Sequence, residues 1–349
     1  MKVFVTGGTG FIGKHLARRL ILEGHQVTCL ARNSLRGKVL EEMGARVVAG
    51  NVNDPSALRA GMAGCDWLFH LANLYSMWEP DAAVFQRVNV DGTRLVLETA
   101  LETGVQKVVY VSTVAVFGKP AEIPFDEQSY PGPQLFSAYA RSKSAAEQIA
   151  WDLYQRRGLP LVVLYPGIVL GQGDDKASGQ YIRDIVFRRL PSTIFHDSVS
   201  TYVYVGDVVS ALVQAAQRSE TVGQKYLVGR SQLSGQDFAR LVSEVSGVPL
   251  PLFHFPDWMV IAAAYLLSGV AALTGAPPWW GLSVDAAWTL RHGFRFSGAK
   301  AERELGIRYT PIRAALQEAV SGYLQKRQRR RPAGKEPRTQ PRPRSGETD

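Results

Sequence analysis

The sequence predicts an α/β fold: a Rossmann-type doubly wound parallel sheet with a smaller C-terminal substrate lobe. In the first half of the chain, short runs rich in β-branched residues alternate with helical stretches. Most of these runs are continuously apolar, which is typical of strands in a parallel sheet covered on both faces. The alternation becomes less regular after residue 171. We therefore assign residues 1–171 to the sheet domain, 172–325 mainly to the lobe and 326–349 to a tail.

The individual elements follow from apolar periodicity and turn residues. The strands predicted in the first half are residues 2–6, 26–31, 46–49, 67–71, 107–112 and 161–165. The main helices predicted between them are residues 10–23, 82–103 and 138–157. In the lobe we expect helices near 178–189, 208–218 and 235–245, and short strands near 201–205 and 224–228.

Charge and cysteine content limit the classes of function. The chain of 349 residues has a net charge of +9, but residues 326–349 hold nine basic and three acidic residues, a net +6. The remaining +3 forms no basic stripe, so nucleic-acid binding by the body is not expected. The tail is predicted to be disordered. We interpret it as a solubilising segment, with contact to an anionic membrane surface or to a nucleic acid or acidic partner as alternatives.

The location expected from the sequence is cytoplasmic, with a membrane-peripheral position as the alternative. Only two cysteines occur, Cys29 and Cys65, which form no disulfide framework and no metal-ligand spacing. The first predicted strand starts at residue 2, which leaves no room for a signal peptide.

A glycine-rich turn follows the first predicted strand and opens the first helix. Gly8, Gly10 and Gly13 match the spacing G-x-G-x-x-G, and with Gly7 the turn also reads G-x-x-G-x-x-G. Glycines allow close approach of a pyrophosphate, and the N-terminus of the helix offers free N–H donors. The position of the motif in a series of alternating strands and helices predicts a dinucleotide site.

The choice between the two nicotinamide cofactors is expected near the end of the second strand. Arg32 stands there, followed by Arg36 and Lys38, and no carboxylate is placed to bind a ribose 2′-hydroxyl. Arg32 could pair with a 2′-phosphate, so NADPH is favoured. The alternative is that Arg32 stacks on adenine or faces solvent, which leaves NADH open.

Tyr139 and Lys143 form the most informative pair of polar residues. Four residues apart on a predicted helix, they share one face, and that face continues through Ala146, Ala150 and Leu153. The pair should therefore face inward. Such a pair also arises by chance, so it has to be judged with the other motifs. If Lys143 lies close to the Tyr139 phenol, its charge would lower the pKa of Tyr139 and make it a general acid and base.

Six segments together resemble the extended short-chain dehydrogenase/reductase superfamily, also described as the NAD-dependent epimerase/dehydratase family. The resemblance covers about residues 1–325. The segments are residues 6–13, 70–73, 89–93, 111–118, the Tyr139/Lys143 helix and 166–171.

The resemblance implies an NAD(P)-binding domain at 1–171 and a catalytic set of Thr113, Tyr139 and Lys143. It also implies that Lys143 holds the cofactor ribose and that the chain forms a homodimer through helices around 82–104 and 138–157. The cofactor-binding positions expected are Thr6, Gly7, Gly10, Phe11, Ile12, Gly13, Arg32, Asn51, Val52, Leu71, Ala72, Asn89, Tyr139, Lys143 and Pro166. Ser112 is an alternative to Thr113. We expect His70 to serve in packing and Asp207 to be a helix N-cap, although the resemblance makes Asp207 a structural aspartate at the lobe junction.

Two departures from the family pattern narrow the expected substrate. Val114 and Ala115 stand where sugar-nucleotide dehydratases carry an Asp-Glu pair, and Ile168 replaces the Asn of an Arg-x-x-Asn motif. Residues 72–80 and the apolar lobe look more like the dihydroflavonol reductase-like and 3-beta-hydroxysteroid dehydrogenase-like branches. These imply a carbonyl or alcohol on an apolar small molecule. The alternatives are a sugar or hopanoid-associated epimerase-like enzyme and a non-catalytic nucleotide sensor or assembly protein.

Residues 258–274 contain no charge and are followed by Trp279 and Trp280. A helix packed on the lobe and lining an apolar pocket is the favoured interpretation. The alternatives are a helix in a membrane interface and a membrane-spanning helix.

Overall fold

The computed structural model describes residues 1–330, which form ten strands and thirteen α-helices. The strands are β1 (Lys2–Thr6), β2 (Gln26–Ala31), β3 (Arg46–Ala49), β4 (Trp67–His70), β5 (Lys107–Val111), β6 (Leu161–Pro166), β7 (Ile168–Leu170), β8 (Val199–Tyr204), β9 (Lys225–Val228) and β10 (Ser231–Ser234). The helices are α1 (Phe11–Leu22), α2 (Ser34–Glu42), α3 (Pro55–Met62), α4 (Ala83–Phe85), α5 (Gly92–Glu102), α6 (Ala138–Arg157), α7 (Ala177–Val186), α8 (Val205–Gln217), α9 (Gly235–Ser246), α10 (Asp257–Thr274), α11 (Val284–His292), α12 (Ala299–Leu305) and α13 (Ile312–Arg330).

The main sheet has seven strands in the order β3-β2-β1-β4-β5-β6-β9, and all of them pair in parallel. Alternate residues of β1 serve opposite faces: Phe4 packs in one hydrophobic cluster, whereas Val3 and Val5 pack in another. Helices therefore cover both faces of the sheet, which explains why its strands are continuously apolar. The predicted Rossmann-type doubly wound sheet is confirmed.

The chain returns to the main sheet after residue 171. Strand β9 pairs with β6 as the seventh strand, and α8 packs against α1. The smaller sheet, β10-β8-β7, leads into the lobe and packs with α7, α9 and α13. Residues after 171 therefore belong partly to the sheet domain and partly to the lobe.

Two segments differ in detail from the sequence prediction. The helix predicted at 82–103 consists of α4, a π-helical stretch at Gln86–Asp91 and α5. Helix α13 continues to Arg330, so residues 326–330 of the predicted disordered tail are helical, whereas 331–349 lie outside the described residues.

Asp207 does not cap α8. The helix begins at Val205 after Tyr204, and Asp207 lies within its first turn. The Asp207 carboxylate accepts hydrogen bonds from the backbone N–H and the hydroxyl of Thr310, both at 2.8 Å. The N-cap interpretation is therefore wrong, and Asp207 instead ties α8 to the segment that precedes α13.

Helix α10 is covered by the rest of the protein along one face only. Only Val260, Ala264 and Ala271 are buried along its 18 residues. Within residues 1–330 it is the one helix long and apolar enough to cross a membrane, with a mean hydropathy of 1.5. The interpretation that α10 is packed on the lobe therefore holds for one narrow face only.

Candidate active site

The glycine-rich turn joins β1 to α1 with no room for side chains. Gly7 has φ +76°, and a Cβ atom at Gly13 would lie 2.1 Å from the Gly7 carbonyl oxygen. The Gly10 N–H donates to that oxygen at 2.9 Å, and Gly10 precedes α1 without a side-chain cap. The first N–H groups of α1 therefore have no side-chain cap and lie next to the backbone of the glycine-rich turn. This arrangement fits the pyrophosphate of a dinucleotide.

The residues predicted to contact the far half of the cofactor follow β2 and β3. Arg32 is exposed directly after β2, and Arg36 is exposed in the first turn of α2. The Arg36 N–H donates to the Asn33 side chain, which caps that helix at 3.2 Å. Asn51 follows β3 and accepts the Asn53 N–H at 2.8 Å, whereas Val52 is buried.

His70 links the turn to the centre of the sheet. Its Nδ1 lies 2.7 Å from the Thr6 hydroxyl, and its Nε2 lies 3.0 Å from the Thr93 hydroxyl. Burial lowers the pKa of His70 to about 3, so the imidazole is neutral. The Thr6 hydroxyl also accepts the Ala72 N–H at 3.3 Å. Both ring nitrogens of His70 thus have partners, in agreement with the packing role predicted for it.

Asn89 lies in the π-helical stretch and fixes the loop after β4. Its side chain exchanges two hydrogen bonds with the backbone of Leu74, at 2.7 and 3.1 Å. The amide nitrogen also donates to the Ser142 hydroxyl at 2.9 Å. A π-helical stretch of this kind commonly marks a functional site. Asn89 therefore sets the distance between the 73–80 loop and helix α6.

Tyr139 and Lys143 both face inward from α6, as predicted. They are 5% and 1% exposed, and Ser137 caps the helix two residues before Tyr139. The Lys143 ammonium donates to the Tyr110 hydroxyl at 2.9 Å and to the Val111 carbonyl at 2.8 Å. Burial lowers the pKa of Lys143 to about 7, and the charge of Glu147 opposes that change.

The Tyr139 phenol differs from our expectation. Burial and the neighbouring Tyr75 raise its pKa, and the Thr113 hydroxyl lowers it in part. The rings of Tyr139 and Tyr75 meet edge to face, with centroids 5.0 Å apart. The Lys143 ammonium is directed at Tyr110 and Val111, so the lowering of the Tyr139 pKa that we expected from a nearby Lys143 does not occur in this arrangement.

Thr113 is better placed than Ser112 to meet a substrate. The Ser112 hydroxyl donates to the buried Glu147 carboxylate at 2.6 Å, so it has a partner within the core. Thr113 is half-buried and caps the short 3₁₀ turn Val114–Phe117. Its hydroxyl is one of the groups that change the pKa of Tyr139. The geometry therefore favours Thr113.

Three residues that we did not predict complete the site. Glu147 accepts hydrogen bonds from Ser112, from Tyr165 at 2.5 Å and from Trp151 at 3.3 Å. Its position four residues after Lys143 could have identified it from the sequence. Tyr110 and Tyr75 carried no such signal, because their partners are distant in the chain.

The remaining predicted cofactor residues lie at the same edge of the sheet. Leu71 and Ala72 directly follow β4, and the Leu71 N–H donates to the Thr6 carbonyl at 3.2 Å. Phe11 and Ile12 form the first turn of α1, and Pro166 ends β6. Ligands of open α/β sheets bind at this carboxyl edge. The structure thus brings the predicted cofactor residues and the Thr113/Tyr139/Lys143 set to one edge.

A glycine-lined dinucleotide turn and an inward Tyr-x-x-x-Lys pair at the carboxyl edge of one parallel sheet define a nicotinamide-dependent enzyme of the Rossmann class. The comparisons with known proteins agree. The profile of the NAD dependent epimerase/dehydratase family matches residues 3–229. The chain belongs to that family, the extended short-chain dehydrogenases/reductases, whose members bind NAD.

Two relatives and one solved structure illustrate the similarity. A Synechocystis protein provisionally named dihydroflavonol 4-reductase is 33% identical over 92% of this chain and 94% of its own length. A Stigmatella aurantiaca ketoreductase of a farnesyl-bearing dihydroquinoline oxide is 31% identical over 76% of this chain and 79% of its own. The UDP-glucose 4-epimerase of Thermus thermophilus, solved with NAD, has a TM-score of 0.74 and 25% identity, covering 93% and 99%. These relatives indicate an NAD(P)-dependent enzyme of the reductase or epimerase type.

Proposed function

We propose that this protein is an NAD(P)-dependent oxidoreductase that interconverts a carbonyl and an alcohol on an apolar small molecule. The observation that carries this proposal is the buried Tyr139 phenol. It interacts with the Thr113 hydroxyl through a hydrogen bond and lies one helical turn from Lys143. A phenol and a second hydroxyl beside a nicotinamide site can bind one substrate oxygen and exchange a proton with it.

In the reductive direction, Tyr139 donates its proton to the substrate oxygen while Thr113 donates a hydrogen bond to the same atom. The nicotinamide cofactor, when bound, supplies the hydride that the carbonyl carbon receives. The carbonyl thus gains one hydride at carbon and one proton at oxygen and becomes an alcohol. Lys143 uses two of its three N–H donors on Tyr110 and Val111, and the third would hold a ribose hydroxyl.

The reductive direction is proposed from the names of two relatives. Because burial raises the pKa of Tyr139, its phenol is protonated at neutral pH and is ready to act as an acid. Donation of this proton leaves a phenolate, which is the form from which oxidation would start, so the raised pKa does not itself select a direction. Two of the relatives carry reductase names, which agrees with this direction.

An apolar substrate is proposed from the side chains around the catalytic pair. Val114 and Ala115 are buried beside Thr113, and the Tyr75 ring packs on Tyr139. None of these side chains carries the positive charge that would pair with a sugar diphosphate. The ketoreductase relative acts, by its name, on a molecule with a farnesyl group, which is consistent with an apolar substrate here.

NADPH is the proposed cofactor, with NADH as the alternative. Arg32 and Arg36 are both exposed where the adenosine ribose is expected, and neither position offers a carboxylate. Two guanidinium groups suit a 2′-phosphate. The homodimer and the cytoplasmic location implied by the sequence stay predictions.

The test is consumption of NADPH and NADH with a panel of apolar ketones, for the native protein and for Tyr139→Phe. We expect the variant to lose about two to four decades of turnover and to bind nucleotide nearly normally. The matched control is Tyr130→Phe, because Tyr130 is 89% exposed. Full activity of Tyr139→Phe would refute the catalytic assignment. Epimerisation without net cofactor consumption would favour the epimerase alternative, and nucleotide binding without turnover would favour the sensor.

A further inference from the structure

The lobe carries a large exposed apolar surface, which we call the apolar arm and define as residues 252–280. It comprises α10 and the segments on either side of it. Eleven of the eighteen large exposed hydrophobic side chains among the described residues lie in this arm. They are Leu252, Phe253, Phe255, Trp258, Met259, Tyr265, Leu266, Val270, Leu273, Trp279 and Trp280. An exposed apolar patch of this extent normally marks a binding surface.

The exposed side chains of α10 lie opposite its buried stripe. Val260 and Ala264 pack against Phe195 and Ala287, and Ala271 continues the same helical face. By helical spacing, Leu266 and Leu273 lie on the other face, where they are 70% and 89% exposed. The helix therefore presents a continuous apolar ridge of 18 residues, about 27 Å long, to its surroundings.

Two hydroxyl groups of the arm are satisfied within the protein itself. The Ser268 hydroxyl accepts the Val284 N–H at 3.0 Å, and the Thr274 hydroxyl donates to the Val270 carbonyl at 2.9 Å. A protein interface normally includes about one hydrogen bond per 100–200 Å². The acyl layer of a bilayer needs none. The arm is thus chemically better matched to lipid than to a protein partner.

The distribution of charge also fits a lipid surface. Residues 258–284 contain no charged residue, and Asp257, the arm residue that directly precedes them, is paired with Arg291 at 3.4 Å. Two shallow grooves lie beside Leu252. Exposed Arg188 lines one of them together with Asp184, and exposed Arg240 lines the other. Arg240 also lies 3.5 Å from Asp237. The sequence from 326 to 349 adds a net +6. The positive charge of this C-terminal sequence would complement anionic headgroups, and the uncharged ridge would complement the acyl layer.

Tryptophans mark both ends of the ridge. Trp258 is in the first turn of α10, and Trp279 and Trp280 follow its C-terminus, all of them more than half exposed. Indole rings prefer the headgroup level of a bilayer. The ion pair of Asp257 and the hydrogen bond of Ser268 hold the helix along the body of the protein. The helix would therefore lie in the plane of the interface rather than cross it.

We propose that the apolar arm docks the protein on the surface of a lipid bilayer with anionic headgroups. This docking would also orient the active site. The Ser283 hydroxyl donates to the Met77 carbonyl at 2.6 Å, and the Asp285 carboxylate accepts the Ala138 N–H at 2.7 Å. The segment after the arm thus touches both the 73–80 loop and the start of α6. If the proposed function holds, an apolar substrate would reach Tyr139 from the membrane side.

The test is flotation of the full chain with two sets of vesicles, pure phosphatidylcholine and phosphatidylcholine with 30 mol% phosphatidylglycerol. We expect the native protein to float with the anionic vesicles, and the double variant Leu266→Glu/Leu273→Glu to lose at least about tenfold in binding. The matched control is Leu22→Glu/Tyr130→Glu, which places the same charges at exposed apolar sites outside the arm and should float like the native protein.

Three results would overturn the proposal. They are a native protein that floats with neither set of vesicles, an arm variant that floats like the native protein, and a native dimer that dissociates in the arm variant without any vesicle binding. Equal binding to neutral vesicles would overturn the requirement for anionic headgroups. Because flotation does not depend on turnover, inactivity toward ketones would refute the proposed function without affecting this result.

Discussion

Tyr110 should control the protonation of Lys143, and Tyr110→Phe tests this control without changing the shape of the core. The Tyr110 ring is fully buried, stacks on His70 and accepts the Lys143 ammonium at 2.9 Å. The substitution removes only the accepting oxygen. The ammonium then keeps its hydrogen bond to the Val111 carbonyl on β5.

The size of the effect follows from this hydrogen bond. A hydrogen bond to a charged group contributes about 1.5–3 kcal/mol. At 1.36 kcal/mol per pKa unit, its loss should lower the pKa of Lys143 by about one to two units. Because burial has already lowered that pKa to about 7, the variant would hold a mostly neutral amine at neutral pH. The protonated fraction at pH 7 would fall about five- to fiftyfold.

The assay is the pH profile of kcat/KM, which reports groups of the free enzyme. If the ammonium is the active form, kcat/KM falls as pH rises through the pKa of Lys143. This falling limb of the pH profile should move to lower pH in Tyr110→Phe. At pH 5 the two proteins should differ much less than at pH 7. Tyr202→Phe is the matched control, since Tyr202 is buried in the smaller sheet against Phe238. A limb that stays in place in Tyr110→Phe would refute this role of Tyr110.

Two further substitutions test the cofactor site. Gly13→Ala places a Cβ atom 2.1 Å from the Gly7 carbonyl, so nucleotide binding measured by fluorescence titration should weaken at least about tenfold. Gly322→Ala, with open space around it, should bind normally, and equal affinities would contradict the tight turn. Arg32→Asp should weaken the binding of NADPH at least about tenfold and leave the binding of NADH unchanged, measured as the ratio of their Kd values. The same change at exposed Arg18 should leave that ratio unaltered, and an unaltered ratio in Arg32→Asp would remove the support for NADPH.

Much of the sheet domain could be predicted because its signals are local. The strands are continuous apolar runs. The turn at Gly7–Gly13 could be predicted because the spacing of its glycines is that of a turn with no space for side chains. The helix at Ala138–Arg157 has the predicted bounds, and its inward face follows from the spacing of Tyr139 and Lys143.

The missed features depend on contacts that are distant in the chain. Tyr110 reads as an ordinary strand residue, and only its partner 33 positions later gives its hydroxyl a role. The pKa of Tyr139 was misjudged because burial of the phenol outweighs the charge that we expected Lys143 to provide. Asp207 sits where a cap is plausible, but its partner Thr310 lies 103 residues away. Residues 258–274 are apolar all round, so their periodicity did not indicate which face is covered.

The seventh strand has a consequence for how this chain can be divided. Strand β9 comes from beyond residue 171 and covers the edge of β6, every residue of which is buried. A fragment ending at 171 would therefore expose the backbone of an entirely apolar strand, an arrangement that favours pairing between molecules. The lobe sequence between β7 and β9 has to be made before this edge is closed. The sheet domain is thus incomplete without a strand that the sequence division at residue 171 leaves out.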